Sequence, residues 1–561
     1  MKKRNLLLTA MLFCVTMSFA QQLEFQDLTP ARKRPKELNN ASTSIIAPYG
    51  DDLLCAVIVP KLPVPGGKFV ILDKQLDVVK EITLPEQYKK YSYTLLSKIG
   101  NRYIISIYKG LKDRLLGLMD ENFQLIKTYQ LSNKYTFERE IYQTDDYAIL
   151  NVNGLKLIKV DADLNVLQTG SLSNNFNLYL RSWNKLLNNG LILIRKPEYM
   201  CLLNPETLET VSEIELPKPY LSDERVGSTY VLDGDEVFGS IRSFKFNWEV
   251  WKDLMWTHED FSGDWKYVAT LYDRNGKKLQ ECTLQAEGQP NKSCVEQYCN
   301  AVWDKHNSQM IIARAWQNCT LTKGAKTTEK TVEGHGKLTL YTLSKNSKET
   351  KHIENLKIDF PLSSVQILNT DEDNVYVLLG GKDIISLVSV NMKTLAYEYV
   401  LTRQIEGTLS ERPGILINDA GYCLTSCNKV EDQKSNNGTF YENIVLFISK
   451  DMKNVKSYNT VFLTKGNIVS NRISEDLSRS DMFVIQHEEL TEELQYYIID
   501  NKGNRQIVPT HLTFLHETFN EGITTKGIFT KLYQISPNEY YLLYDYWPKT
   551  FKLCKLTLNP G

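Results

Sequence analysis

Apolar and polar positions alternate along this chain in short runs, and the runs come as hairpins that repeat. An apolar run ends in Asp, Asn or Ser, a polar turn follows, and a second apolar run returns. The pattern reads KFVILDKQLDVVKEITL around Asp73 and LLGLMDENFQLIKTYQL around Asp120. It recurs at Asp161, Asn204, Asp273, Ser344, Asn391, Asp451 and Asp500. The runs are rich in Val, Ile, Leu, Tyr and Thr and about four to seven residues long, which predicts short strands. No stretch sustains a helical repeat for long.

A second pair of apolar runs precedes each of these hairpins and makes a four-strand unit. Its turns read Asn188-Asn189-Gly190, Asp233-Gly234-Asp235, Asp371-Glu372-Asp373, Asn418-Asp419-Ala420-Gly421 and Ser536-Pro537-Asn538. Gly, Asn and Asp suit such turns because they tolerate positive φ or bond their own backbone. Units counted this way begin near residues 41, 93, 139, 180, 227, 295, 363, 411, 470 and 527. Four antiparallel strands per unit, joined without linkers, predict an all-β chain built as a β-propeller. A stack of β-sandwiches would need long crossovers and interdomain linkers, and the chain has neither.

Over 41–560 the chain resembles the β-propeller superfamily in architecture. The simplest arrangement is one large ring of about eight to ten blades, with two smaller rings dividing near 285–295 as the alternative. The signatures of functional families within that architecture are missing. There is no Gly-His…Trp-Asp pairing and no Ser-x-Asp-x-Gly-x-x-Trp box, and Gly-Gly occurs only at Gly66-Gly67 and Gly380-Gly381.

The intervals between hairpins are uneven. Most lie between 41 and 49 residues, but Asn204 to Asp273 spans 69, Asp273 to Ser344 spans 71 and Asn391 to Asp451 spans 60. The extra residues, at about 241–266, 317–336 and 429–442, fall between the second and third strands of their units. In a propeller those turns share a face with the connections from blade to blade, and long loops on a rigid scaffold are where binding concentrates. The first insertion holds Phe244, Phe246, Trp248, Trp251, Trp256 and Trp265, and its four tryptophans are half of the chain's eight. Trp248, Trp251 and Met255 recur at helical spacing, so a short amphipathic helix is expected there. Such aromatics suit a protein hot spot or a sugar-stacking platform. The plain alternative is that they glue the insertion to its own blade. The second insertion reads as a mobile loop or an extended hairpin, and the third as equally solvated.

The start of the chain reads as an export signal. Lys2, Lys3 and Arg4 precede the apolar run Leu6–Val15, and Ser18-Phe19-Ala20 places small residues before a cut at Gln21. The basic start and Ala-Gln-Gln junction resemble secreted proteins of Bacteroidetes-type bacteria, which implies a periplasmic, surface or extracellular location. Residues 21–40, with Pro and Lys/Arg, read as an extended arm before the propeller at 41–560. No later window is apolar enough for a transmembrane helix. The formal net charge is −1, and losing the three leader cations makes it slightly more negative, which argues against nucleic acid as a partner.

Nine cysteines follow the leader's Cys14. Cys423 and Cys427 sit four residues apart in one strand, about 13 Å, too far to bridge. The run Cys282, Cys294, Cys299 and Cys319 admits one or two disulfides, or buried thiols instead. Its spacing fits no zinc finger, and no metal site or cofactor is expected.

Candidate chemistry is thin. His258, Glu259 and Asp260 adjoin the aromatic insertion and form the one acid/base group worth naming, with a solvated loop tip as the alternative reading. Asp161-Ala-Asp163-Leu-Asn165 echoes the start of a calcium loop but lacks its glycine and distal glutamate, and it occupies a hairpin turn of the repeat. Asn40, Asn291, Asn318 and Asn437 head sugar-acceptor triplets relevant only to a eukaryotic host. The expectation is an exported, non-enzymatic propeller that binds a protein or a glycan through its loop-bearing face. A carbohydrate-active hydrolase or lyase and a structural part of a cell-envelope complex are the alternatives.

Overall fold

Each unit counted from the sequence is a sheet. The computed structural model describes residues 23–559 apart from 31–34, 39–40, 60–65, 111–112, 132–137, 153, 177–182, 218–223, 235, 247–265, 286–292, 324–327, 411–412, 436–437, 465–468, 490–493, 509, 511–527 and 547–549. The sheets cover 42–82, 92–130, 139–171, 183–215, 224–285, 293–358, 362–408, 414–464, 469–508 and 528–558, numbered here as blades 1 to 10. Eight have four antiparallel strands, hydrogen-bonded to their chain neighbours in order, and blade 10 supplies three and takes its fourth from elsewhere in the chain. In blade 7 one continuous run, Asn374–Asn391, supplies both middle strands. It doubles back near Asp383, whose φ is 57°. Met392 N–H accordingly meets the Asp373 carbonyl at 2.7 Å.

The core shows that the blades form one ring. Alternating apolar positions on each strand give every blade two buried faces, and ten apolar clusters lie between successive blades. Ile71 and Phe69 of blade 1 pack with Ile105 and Leu115 of blade 2, and Leu118 of blade 2 with Leu150 and Ile158 of blade 3. The series continues through every neighbour to Val484 and Tyr496 of blade 9 against Leu542 of blade 10. Leu543 and Leu553 of blade 10 then pack on Leu53, Cys55 and Val70 of blade 1. The cluster between blades 5 and 6, with Leu271, Met310 and Ile312, crosses the place where two smaller rings would divide. That alternative is excluded.

The ring is closed by the start of the chain. Leu23–Asp27 is the outer strand of blade 10, antiparallel to Thr550–Leu558, with Leu23 opposite Leu558 and Asp27 opposite Cys554. Leu23 is fully buried. Thr29 Oγ1 accepts the Leu553 N–H at 2.8 Å, and the N–H groups of Leu28 and Thr29 return bonds to the Leu553 carbonyl at 3.0 and 3.1 Å. Part of the segment read as an arm is thus a strand of the last sheet.

The repeated Asp has a local explanation. Asp73 Oδ1 accepts the backbone N–H groups of Gln75 and Asp77 at 2.9 and 2.8 Å. Asp120, Asp161, Asp273 and Asp500 repeat the same pair of bonds to the residues two and four further on. The residue three after the Asp sits in the left-handed region, as a type I turn followed by a bulge requires. Glycine fills it at Gly276 (φ 82°) and Gly503 (φ 76°). Elsewhere it is a large apolar residue, at Leu76, Phe123 and Leu164 (φ 64°, 59° and 54°), each at most 4% exposed. The side chain plugs the adjoining core, so burial offsets the backbone strain. In blade 8 the pattern is displaced by two residues. Ser449 Oγ, not Asp451, takes the closing N–H of Asn454 (2.9 Å), and Met452 carries the positive φ of 60°. The Asp161 segment is a hairpin turn of this kind; its oxygens are spent on Asp163 and Asn165 rather than on a cation.

Candidate functional site

The three long intervals all lie between the second and third strands of their blades, on the face that also carries the blade-to-blade connections. In blade 6 the insertion is the hairpin itself continuing. Gln309–Lys323 and Thr328–Ser344 stay paired out to Lys323 opposite Thr328, with one irregularity between Gln317 and Cys319. Blade 8 does the same, with Gly421–Ser435 and Gly438–Ser449 paired out to Ser435 opposite Gly438. A 15-residue strand is about 50 Å long, against about 27 Å for the eight-residue strand Arg102–Lys109 of blade 2. Of the two readings offered for the second insertion, the extended hairpin is the one the molecule adopts. The third, expected as a solvated loop, is likewise mostly strand.

In blade 5, strands Val237–Phe246 and Lys266–Asp273 flank the first insertion. Phe244 lies on this ladder opposite Val226 and Lys266, and Phe246 ends the strand opposite Glu224. Trp248, Trp251, Trp256, Trp265, His258, Glu259 and Asp260 lie outside the described residues, as does the helix expected at Trp248–Met255. Blades 6 and 8 thus extend their hairpins on one side of the ring, with blade 7 between them, and the blade 5 strands Val237–Phe246 and Lys266–Asp273 end on that same side.

The same face is tied from blade to blade by polar groups that have no local sequence signature. Between blades 2 and 3, Arg114 Nη1 donates to Glu138 Oε2 at 2.7 Å, with side chains 2% and 1% exposed. Ser106 Oγ also donates to Glu138, and the Arg114 guanidinium lies 5.2 Å from the Tyr108 ring centre. Between blades 7 and 8, Glu442 Oε2 accepts the Thr408 N–H at 3.2 Å and its Oε1 accepts Asn459 Nδ2 at 2.9 Å. Gly407 (φ 90°) leaves room for that carboxylate, since a Cβ there would come within 2.4 Å of Oε1. Between blades 8 and 9, Asn443 Nδ2 lies 2.5 Å from His487 Nδ1. Burial lowers the His487 pKa to about 4, so the ring is neutral and its Nδ1 accepts.

On the opposite face, a cavity of about 470 Å³ opens between blades 9 and 10, lined by Asp476, Arg479, Leu532, Gln534, Pro537 and Tyr540. Its guanidinium is already engaged. Arg479 Nη1 donates to the Asp476 and Ser478 carbonyls, both at 3.0 Å, and Nη2 donates to the Pro537 carbonyl (3.1 Å) and Tyr540 Oη (3.2 Å). The group therefore acts as a tie between blades. Among the described residues no three His, Cys, Asp or Glu side chains gather to hold a metal ion, and no helix is long and apolar enough to cross a membrane.

Of the cysteine run, Cys294 and Cys319 lie opposite each other across one ladder, and the other two do not face a cysteine. Cys282 opposes Ala269, and Cys299 opposes Arg314. Cys423 and Cys427 are free thiols, the first opposite Leu416 and Phe447 and the second opposite Asn443.

No protein-family model matches the chain, and no curated protein matches it. Solved structures give distant likenesses. The WD40 domain of SCAP from fission yeast is 7% identical, covering 84% of this chain and 99% of its own, with a TM-score of 0.33. BamB from Moraxella catarrhalis is 12% identical, covering 76% of this chain and all of its own, with a TM-score of 0.25. The computationally designed Ika8 protein is 9% identical at a TM-score of 0.24. Likenesses this remote carry no argument about the site, and the ring rests on the chain's own sheets and cores.

Proposed function

We propose that this protein is an exported, non-enzymatic scaffold that binds a protein or glycan partner through the face where blades 5, 6 and 8 are extended. The observation supporting this reading is that the three long insertions between second and third strands all open on one side of the ring. A ring sealed by buried clusters and cross-blade bonds is a rigid platform, and binding surfaces gain from such preorganisation. Phe244, Phe246, Trp248, Trp251, Trp256 and Trp265 are the proposed contact set, with Trp248 and Trp251 as anchors.

The test is affinity capture with the full-length protein and with a Trp248→Ala/Trp251→Ala variant, using envelope extracts and a glycan array. The expected result is a ligand retained by the native chain and lost, by tenfold or more in Kd, from the variant. Equal retention by both would refute the assignment. Turnover of any glycan, abolished by Glu259→Gln or Asp260→Asn, would overturn the non-enzymatic reading. A partner that co-purifies stoichiometrically from the native host would mark a structural part of an envelope assembly.

A further inference from the structure

We propose that Cys294 and Cys319 form a cross-strand disulfide at the base of the long blade 6 hairpin. They are direct register partners in the ladder between the inner strand Ser293–Asp304 and the strand Gln309–Lys323. Directly opposed residues of an antiparallel pair share one face of the sheet, and their Cα atoms are roughly 4.5–5.5 Å apart. Bridged cysteines need roughly 4.4–6.8 Å, so the backbone presents the pair with no rearrangement. The unbroken register from Asp304 opposite Gln309 to Ser293 opposite Thr320 fixes this juxtaposition.

No other cysteine with a described strand partner faces a second cysteine. Cys55 opposes Ile45 and Val70, Cys201 opposes Ile194 and Glu213, and Cys554 opposes Asp27 and Leu542. Burial also pushes the Cys201 thiol up to about 12 and the Cys427 thiol up to about 11, which suppresses the thiolate that exchange chemistry requires. In forming the bond, Cys294 and Cys319 each give up a thiol proton and their sulfurs join. The two electrons pass to an oxidised disulfide, that of a thiol oxidase or of oxidised glutathione, whose S–S bond opens to two thiols. The bond would anchor the extended part of the hairpin to the innermost strand of its blade, at the point where the outer ladder shifts between Gln317 and Cys319.

The experiment uses the purified full-length chain equilibrated with oxidised glutathione, so its outcome does not depend on where the protein resides. After alkylation under denaturing, non-reducing conditions, trypsin should release residues 293–305 and 315–323 as one cross-linked peptide, separated by reduction. Cys299 shares the first of these peptides, so Cys299→Ser should keep the cross-link, while Cys294→Ser and Cys319→Ser should each lose it. Recovery of both peptides fully alkylated would overturn the proposal. So would a link from Cys319 to any other cysteine, or glutathione adducts on Cys294 and Cys319 in place of the bond.

Discussion

Replacing Leu164 tests whether a buried side chain sustains a left-handed backbone in the repeated turn. Leu164 has φ 54° and is 1% exposed in the cluster joining blades 2 and 3. Leu164→Ala removes the buried isobutyl group but keeps the Cβ, and so keeps the backbone strain. Truncations of this kind cost about 3–5 kcal/mol. Leu164→Gly removes slightly more side chain, yet relieves roughly 1–2 kcal/mol of left-handed strain. In an ordinary buried strand or helix, glycine is worse than alanine by about 0.5–1 kcal/mol. Here the order should invert, with Leu164→Gly more stable than Leu164→Ala by about 1 kcal/mol and both below the native protein. Urea unfolding of the three proteins, followed by circular dichroism and tryptophan fluorescence, reads the midpoints and slopes. A glycine variant that unfolds before the alanine variant, at equal slope, would refute the idea that the backbone at this position is strained by its Cβ.

Two further perturbations act on the cross-blade ties. Glu138→Ala leaves Arg114 buried without its carboxylate and should cost about 3–5 kcal/mol; an Arg114→Met/Glu138→Leu double variant should recover most of that loss, measured in the same unfolding assay. His487 is held neutral by burial, its pKa lowered from 6.5 to about 4. The unfolded chain therefore binds a proton that the fold refuses, so stability falls as pH drops from 6.5 towards 4. At 1.36 kcal/mol per pKa unit the loss is about 3 kcal/mol. His487→Gln should flatten the pH dependence of the urea midpoint over that interval, and an unchanged slope would show that other groups set it.

The ring was legible in the sequence because its information is local. Turn chemistry and strand alternation repeat within each unit, and the ten starting positions inferred from them fall within a few residues of the ten sheets. Asp73, Asp120 and Asp161 could be recognised because each caps its own turn. The displacement to Ser449 in blade 8 was hidden by Asp451, a better capping residue two positions away. The closing strand Leu23–Asp27 escaped notice because its partner lies at the other end of the chain and five residues carry little pattern of their own. Glu138, Glu442 and His487 act on neighbouring blades, a relation that no spacing encodes. The three long insertions were legible from interval lengths alone. The uneven spacing was explained in two of three cases by strands that simply run on.

The pairing of the first strand with the last has a consequence for how the molecule comes to exist. Thr29 and Leu553 are separated by 524 positions, and blade 10 lacks its outer strand until they meet. A growing or threading chain can assemble its early blades as they emerge, each on its predecessor. The circle stays an open arc until residues 550–558 arrive, and closing so long a loop is entropically costly and slow. Until then Leu23 is exposed at one end of the arc and the strand at 550–558 has a bare edge at the other. A chain interrupted anywhere before that point would present unpaired strand edges, the kind of surface that proteases and aggregation select against. Arrival of residues 550–558 and closure of the ring are therefore the same event.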